Sequence, residues 1–355
     1  MRKGILKPSK IIWAWIPIAQ CNLNCSYCYN QGKKRKNGVF NYSVKHILEC
    51  LKPERFGGPV FFAAVASGET LLWDEIIEFT KGMLSYGHVV SYTSNGVYTP
   101  TLEKFCNFPE KLKSGLEIDL SLHYHELKRT KKLDLYFKNI RMLQSAGISF
   151  AIFIVANDDY IPYLREISKL CQKKVGILPV IGMEREYNRM GGKNIKKYTP
   201  ETIKLLQETC NMNQWKIQQK LYGRERKEFC FAGYHSINLN LGNGNYTKCW
   251  GTDKSGNLFK NPNSKIKFEP IGLCPFYDCV CASYQCWGLI PELKIPTHSE
   301  IYFTKSSVSE KIWDFMDYRM ENKLNIYSKE VSKLRYKLKQ KINKWKLIIK
   351  QSIRN

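Results

Sequence analysis

QCNLNCSYCY, at residues 20–29, follows the apolar run IIWAWI at residues 11–16, which predicts a first β-strand. The loop carries Cys21, Cys25 and Cys28. Three thiols at this spacing can bind one iron–sulfur cube, whereas a tetrahedral zinc ion would need a fourth ligand nearby. A cube held by three cysteines leaves one iron open to a small chelating molecule. Structural zinc or buried thiols are the alternatives for this motif taken alone.

The C-x3-C-x2-C spacing, with the aromatic Tyr27 directly before the third cysteine, resembles the signature of radical S-adenosylmethionine (SAM) enzymes. The resemblance implies that Cys21, Cys25 and Cys28 bind a [4Fe–4S] cluster whose open iron chelates SAM, and that Tyr27 flanks the adenine. In this family an electron from the reduced cluster breaks the sulfonium C–S bond, and the resulting 5′-deoxyadenosyl radical abstracts a substrate hydrogen. It also implies a reducing electron donor such as flavodoxin or ferredoxin.

The composition predicts a folded protein in a reducing, intracellular compartment. With 355 residues and 43% hydrophobic side chains, the chain can bury a substantial core. Its 13 cysteines are grouped as metal ligands are grouped, three in the first loop and six between Cys230 and Cys286. The other four are predicted to be buried thiols: Cys50, Cys106, Cys171 and Cys210.

The start of the chain imitates a lipoprotein signal, with a basic head, an apolar stretch and then Cys21. Gln20 stands where a small residue should precede a cleavage site, and Pro17 interrupts the apolar run. We therefore expect a cytoplasmic protein. No later run is long and apolar enough to span a bilayer.

Strand-like and helix-like patterns alternate through the middle of the chain. Apolar runs predict strands at 59–65, 88–92, 116–122, 148–155 and 175–181, and amphipathic patterns predict helices at 42–51, 74–85, 134–146 and 161–171. From the second strand on, the period of roughly 30 residues is that of one βα unit. The fold class is therefore α/β, a partial parallel (β/α)6 barrel with its site at the C-terminal strand ends.

The second strand ends in Ser67-Gly68-Glu69-Thr70. Glycine allows close backbone approach, and a glutamate with exposed carbonyls can accept hydrogen bonds from an ammonium group. The stretch resembles the G-G-E-P stretch that holds the SAM amino group in radical SAM enzymes, although its first and last residues differ. The resemblance implies that Ser67, Gly68 and Glu69 bind SAM. An ordinary turn before a capped helix is the alternative.

The following strand ends offer further polar side chains. Asn95, Ser121 and His123 match positions where the family contacts SAM, although an Asn-Gly turn and a structural histidine are equally common. Later residues either face the substrate or serve as helix caps and surface charges: Asn157, Asp158, Glu184 and Arg185.

A second cysteine group predicts an auxiliary cluster region. Cys230-x13-Gly244-x4-Cys249 resembles the opening of SPASM, an extension that carries auxiliary [4Fe–4S] clusters in radical SAM enzymes. The later spacing departs from the usual C-x2-C-x5-C-x3-C, and six cysteines cannot fully ligate two cubes. We expect at least one auxiliary cluster and leave a second open, with structural zinc as the alternative. The later cysteines are Cys274, Cys279, Cys281 and Cys286.

Four segments are therefore predicted: a core at 1–190, a helical bridge at 191–229, the SPASM-like region at 230–290, and a linker with a basic helical tail at 291–355. From 329 to 355 the tail carries ten Lys or Arg against one acid, with apolar residues at helical spacing. Such a helix lies on an anionic membrane surface, at the inner face of the membrane, or packs on the barrel or a partner. The net charge of +25 does not choose among nucleic acid, phosphates and anionic lipids.

A SAM-cleaving iron–sulfur enzyme explains why the cysteine loop, Glu69 and Asn95 fall at successive strand ends. By resemblance to family members with such an extension, we expect an oxidoreductase that oxidises or cross-links a peptide or a small molecule such as a sugar. Two alternatives stay open. An RNA-modifying radical SAM enzyme would use the basic surface, but no RNA-binding module is recognised and no specific nucleic acid is expected. A non-enzymatic zinc or iron–sulfur binding protein would show no SAM affinity.

Overall fold

The computed structural model describes residues 8–28, 36–184, 196–222, 228–249, 252–273, 289–290, 293, 295–304, 307–317 and 338. Its centre is a run of six parallel strands in which each strand pairs with the next along the chain. These strands are β1 (Lys10–Ile16), β2 (Val60–Ala66), β3 (Val89–Ser94), β4 (Leu116–Ser121), β5 (Ser149–Ala156) and β6 (Val180–Met183). The strand predicted at 175–181 is displaced and begins only at Val180, because the preceding helix continues to Val175 and is capped by Gly176.

Helices follow the strands and cover one face of the sheet. They are α1 (Val44–Cys50), α2 (Ile76–Ser85), α3 (Thr99–Cys106), α4 (Glu110–Lys113), α5 (Tyr124–Arg129), α6 (Leu133–Ser145) and α7 (Leu164–Val175). Phe62 of β2 packs on Phe79 of α2, and the Tyr92 hydroxyl of β3 bonds Thr80 Oγ1 of α2 at 2.8 Å. Because side chains alternate along a strand, the odd-numbered neighbours of these residues point to the opposite, concave face.

The concave face carries an acidic pair on β4. Glu117 and Asp119 are two residues apart on the same strand, so both point away from the helices. Ser91 of β3 donates a long hydrogen bond to Asp119 Oδ2, at 3.4 Å. The concave face of the sheet is therefore polar within β4 as well as at the C-terminal ends of the strands.

Residues beyond β6 return to the first strand of the sheet. After α8 (Pro200–Thr209) and α9 (Asn213–Leu221), the strand β8 (Ser236–Asn240) pairs in parallel with β1. β9 (Asn245–Thr247) and β10 (Lys254–Asn257) continue the sheet in antiparallel fashion, which gives the order β10-β9-β8-β1-β2-β3-β4-β5-β6. A separate pair joins β7 (Phe229–Cys230) to β11 (Gly272–Leu273). Over the residues described, the fold is an α/β partial (β/α)6 barrel whose sheet of nine strands does not close.

Two short helices pack near the N-terminal ends of the strands, opposite the cysteine loop. α10 (His298–Tyr302) begins with a capping box formed by Thr297 and Glu300, and α11 (Glu310–Met316) begins at the cap Ser309. Ser309 donates from its amide to Ser149 Oγ at 2.9 Å and from its hydroxyl to the Ser114 carbonyl at 2.6 Å. The segment predicted as a linker from 291 is thus, where described, docked on the starts of β4 and β5. The basic tail from 329 lies outside the described residues apart from Leu338.

Within the described residues, no helix combines the length and the hydropathy that crossing a bilayer requires.

Candidate functional site

The cysteine loop leaves the C-terminal end of β1. Cys25 is buried, Cys21 and Cys28 are half-buried, and the Cys28 amide donates to the Cys25 carbonyl at 3.2 Å. Burial raises the pKa of the Cys25 thiol to about 12, with further contributions from the charges of Glu126 and of the two neighbouring cysteines. The three sulfur atoms therefore lie within electrostatic reach of one another. A positively charged metal group is what would stabilise them together as thiolates.

Gly68 lets the loop rest against the end of β2. A Cβ atom at this position would stand 2.0 Å from the Gln20 carbonyl oxygen and 2.6 Å from the Ala19 carbonyl carbon. Two backbone hydrogen bonds use this close approach, from Gly68 to the Ile18 carbonyl at 2.9 Å and from Glu69 to the Gln20 carbonyl at 2.8 Å. The predicted contact stretch thus clamps the cysteine loop, and glycine is required there because no side chain fits.

Glu69 ties the ends of β2 and β3 together from a buried position. Its Oε1 accepts from the Ser94 hydroxyl at 2.7 Å and the Leu71 amide at 3.1 Å, and its Oε2 accepts from the Asn95 amide at 2.8 Å. Burial raises the pKa of this carboxyl, while the three donors oppose the rise. A carboxylate has about four acceptor sites, so the side chain is already nearly saturated. The Glu69 carboxylate shapes the strand ends whatever else it binds.

Asn95 joins the strand ends to the cysteine loop. Its side-chain amide donates to Asn22 Oδ1 at 2.6 Å and lies 3.7 Å from Cys21 Sγ, within the range of a weak hydrogen bond to sulfur. Its Oδ1 accepts from the Val97 amide at 3.1 Å, which fixes the orientation of the group. The predicted SAM contacts at Glu69 and Asn95 therefore lie directly beside the predicted cluster ligand Cys21.

Tyr27 and His123 also meet, through a chain of hydrogen bonds. The Tyr27 hydroxyl bonds His123 Nδ1, and it accepts from the Tyr160 hydroxyl at 3.0 Å. Burial lowers the pKa of His123 to about 4, so its imidazole is neutral and can accept from Tyr27. The rings of Tyr27 and Tyr160 meet edge to face at 5.7 Å. Tyr160 was not predicted, because a tyrosine after the fifth strand carries no signal in the sequence.

Glu126 and Lys132 hold the cysteine loop from α5 and the start of α6. Glu126 Oε1 accepts from the Asn24 amide at 2.9 Å, and Lys132 Nζ donates to the Asn22 carbonyl at 3.2 Å. Arg129 binds both oxygens of Glu126, each at 2.8 Å, and these bonds hold the pKa of that carboxyl below its ordinary value. Neither residue was predicted from the sequence, since both lie on short polar helical turns without a motif.

The remaining predicted residues are spread around the rim. Ser67 Oγ accepts from the Trp15 indole at 3.1 Å, and Ser121 ends β4 half-buried. Asn157 is buried and accepts the Tyr160 amide at 2.9 Å, so it shapes a turn. Asp158 and Glu184 both pair with Lys196 Nζ, at 2.7 and 2.9 Å. Arg185 lies outside the described residues.

The donor set of the loop suits an iron–sulfur cube. Across the described part of the chain, no three His, Cys, Asp or Glu side chains gather as the ligands of a single metal ion would. A cube takes one thiolate at each iron, so its ligands need not converge on a point. The soft thiolates would supply the ligands of such a group, and the side-chain amide of Asn95 would donate to the Cys21 sulfur beside it.

The second cysteine group is described only in part. Cys230 is buried at the end of β7 and Cys249 is half-buried after β9. Gly244 has φ of +75° in the turn before β9, with Phe259 packed where a side chain would stand. The four later cysteines lie outside the described residues: Cys274, Cys279, Cys281 and Cys286.

Comparison with known proteins finds a family match in the N-terminal part of the chain. Residues 15–170 match the protein-family model of the Radical SAM superfamily. Over these residues the chain is similar to radical SAM domains. Such domains are enzymatic and use a [4Fe–4S] cluster together with SAM.

Individual relatives of the radical SAM domain are distant. A probable GTP 3',8-cyclase of Methanococcus aeolicus is 25% identical over 236 residues, 60% of this chain and 71% of that protein. A 7-carboxy-7-deazaguanine synthase of Methanospirillum hungatei is 22% identical over 54% of this chain and 73% of that protein. The crystal structure of Streptococcus suis SuiB bound to S-adenosylmethionine has a TM-score of 0.51 at 16% identity, covering 76% of this chain and 67% of SuiB. SuiB bound to its precursor peptide SuiA gives a TM-score of 0.50 over 85% of this chain and 76% of SuiB.

Proposed function

We propose that this protein is a radical SAM oxidoreductase that abstracts hydrogen from a peptide or small-molecule substrate, including a sugar, to oxidise or cross-link it. Its [4Fe–4S] cluster is held by Cys21, Cys25 and Cys28. When reduced by a donor such as flavodoxin or ferredoxin, the cluster and SAM together supply the 5′-deoxyadenosyl radical. The observation that supports the proposal best is the position of Asn95. Its side-chain amide lies beside Cys21 Sγ, and its backbone amide donates to the Glu69 carboxylate.

The residues around the loop have distinct roles in this proposal. The backbone of Ser67, Gly68 and Glu69 would hold the amino group of SAM, and the Glu69 carboxylate keeps that backbone in place through Ser94 and Asn95. Tyr27, held by His123 and Tyr160, flanks the adenine. Ser121 stands beside the same rim at the end of β4. These contacts come from strand ends β1 to β4, which is the edge where a parallel barrel assembles its sites.

Two substrate classes are compatible with the proposed reaction. The sequence relatives are named for small nucleotide-like molecules, and the structural neighbour SuiB binds a peptide. Both substrate classes therefore remain in the proposal. Asp158 and Glu184 are weak substrate ligands in this arrangement, because each already pairs with Lys196.

Auxiliary clusters form a second part of the proposal. Cys230 and Cys249, with some of the four later cysteines, would ligate at least one auxiliary iron–sulfur cluster. β8 lies between these two cysteines in the sequence and pairs directly with β1, which leads into the first cysteine loop. An auxiliary cluster there could accept an electron from the substrate radical, which favours net oxidation or cross-linking over isomerisation.

The decisive experiment is anaerobic reconstitution with iron and sulfide, reduction with dithionite, addition of SAM, and chromatography for 5′-deoxyadenosine. The wild type should form 5′-deoxyadenosine, and a Cys21→Ala/Cys25→Ala/Cys28→Ala variant should not. Cys106→Ala is the matched control, since Cys106 is a half-buried cysteine on α3 and should leave the product unchanged. Iron that remains in the triple variant would count the auxiliary clusters.

The opposite result would be equally informative. If the wild type holds a full first cluster yet forms no 5′-deoxyadenosine, the radical mechanism fails and a non-enzymatic binding protein becomes the better description. Product formation by the triple variant would refute the ligand assignment itself.

A further inference from the structure

Glu126 places a buried negative charge against the cysteine loop. Its side chain is 6% exposed, and its Oε1 accepts the amide of Asn24, the residue directly before Cys25. After burial, the charge of Glu126 is a further cause that raises the pKa of the Cys25 thiol. A carboxylate this close to a cluster ligand acts on the cluster as well as on the loop.

Arg129 supplies the compensating positive charge from one turn further along α5. Its Nε and Nη2 each lie 2.8 Å from one oxygen of Glu126, which is the bidentate geometry that holds a guanidinium most firmly. Unlike its partner, the Arg129 side chain is 65% exposed to solvent. The pair is therefore asymmetric, because water screens the arginine more than the glutamate.

We infer that the Glu126–Arg129 pair positions the cysteine loop and sets the reduction potential of the cluster that the loop binds. The inference rests on the proposed function, since it needs a cluster at Cys21, Cys25 and Cys28. Reduction adds one electron to the cluster, so a nearby negative charge disfavours reduction and a nearby positive charge favours it. Glu126 lowers the potential, and Arg129 limits how far it falls.

Two variants then shift the potential in opposite directions. Glu126→Gln keeps a side-chain oxygen for the Asn24 amide but removes the negative charge and leaves Arg129 unopposed, so the potential should rise. Arg129→Gln leaves the buried carboxylate uncompensated, so the potential should fall. A merely structural role would loosen the loop in both variants and could not give shifts of opposite sign.

The measurement is an anaerobic redox titration followed by electron paramagnetic resonance, using the signal that changes when SAM is added so that auxiliary clusters do not interfere. Arg165→Gln is the matched control, because Arg165 is also 65% exposed and pairs with Glu208 on the surface at 2.7 Å. The control should keep the wild-type potential, while Glu126→Gln moves above it and Arg129→Gln below it.

Outcomes separate this inference from the proposed function. Absence of a SAM-sensitive signal in the wild type would overturn both. A wild-type signal with both potentials unchanged, or shifted in the same direction, would overturn the inference alone. If Glu126→Gln fails to retain iron, Arg129→Gln still decides, since an unchanged or raised potential in that variant contradicts the role assigned to the pair.

Discussion

Gly68 is the residue on which the geometry of the site depends most directly. Replacing it by alanine would push a Cβ atom to 2.0 Å from the Gln20 carbonyl oxygen, a contact that only backbone movement can relieve. We expect Gly68→Ala to lower the free energy of unfolding by about 1–3 kcal/mol or more, as overpacking does, and to reduce the iron retained after reconstitution. Urea unfolding and iron analysis measure the two effects.

Gly182→Ala is the control for this substitution. Its Cβ would meet its nearest neighbour, the Gln218 side chain, only at 3.7 Å, which is ordinary contact. The change should stay within about 0.5 kcal/mol of the wild type. Equal stability and iron content in the two variants would contradict the clamp assigned to Gly68.

Tyr160 tests the other side of the loop. Tyr160→Phe removes the hydroxyl that donates to Tyr27 and leaves Tyr27 oriented by His123 alone. A lost hydrogen bond of about 1 kcal/mol predicts a Kd for SAM roughly fivefold higher, measured by anaerobic calorimetry. Tyr163→Phe, at a neighbouring tyrosine whose ring contacts His125, should bind SAM as the wild type does. An unchanged Kd in Tyr160→Phe would show that Tyr27 does not flank the adenine.

At the scale of strands and helices, the sequence indicates the core well and the returning segments poorly. β2 to β5 are long apolar runs at a regular spacing, and they appear within two residues of the predicted positions. Asn238 and Asn240 of β8 alternate with apolar residues as in a strand, but the stretch is only five residues long and nothing in it indicates pairing with β1. Helices α3 to α5 were missed for the same reason, since each is eight residues or shorter.

The site shows the same division. Strand order predicts that Cys21, Glu69, Asn95 and His123 share one edge of the sheet, since consecutive parallel strands end side by side. The partners that fix their orientation, such as Glu126 and Tyr160, are distant in sequence and come into contact with them only in the tertiary fold. A sequence pattern therefore predicts the candidate ligands but not the groups that hold them.

The docking of α10 brings a histidine onto the acidic pair of β4. His298 Nε2 lies 3.3 Å from Glu117 Oε1, and its ring contacts Phe61. Burial raises the pKa of Glu117 to about 8 and lowers the pKa of His298 to about 4. Burial also raises the pKa of Asp119, with the Glu117 charge adding to the effect. Near neutral pH the folded protein thus keeps protons on carboxyls that the unfolded chain has released.

This cluster predicts how stability depends on pH. A carboxyl with a raised folded pKa stabilises the fold at low pH, and that stability is lost as the pH rises from about 4.5 to about 8. His298 acts oppositely, but only below its unfolded pKa of about 6.5. Between pH 6.5 and 8 we therefore expect the free energy of unfolding to fall, and Glu117→Gln to flatten that fall by up to about 1.4 kcal/mol per pH unit.

Chemical unfolding at several pH values checks this expectation. Glu49→Gln is the control, because the side chain of Glu49 is 46% exposed and pairs with Lys52 on the surface. Its pH profile should follow the wild type. Parallel slopes for wild type and Glu117→Gln above pH 6.5 would show that Glu117 is already ionised in the folded protein.

For the whole molecule, charge is the property that the catalytic core does not explain. The tail from 329 to 355 holds nine of the 25 net positive charges and contains none of the residues proposed for catalysis. We expect the full chain to bind vesicles containing anionic phosphatidylglycerol, with affinity that falls as salt rises, and not to bind neutral phosphatidylcholine vesicles. A chain that ends at residue 328 should lose most of this binding while it still forms 5′-deoxyadenosine. Equal vesicle binding by both chains would place the attraction on the diffuse charge of the core, and lost product formation would instead indicate that the tail packs on the barrel.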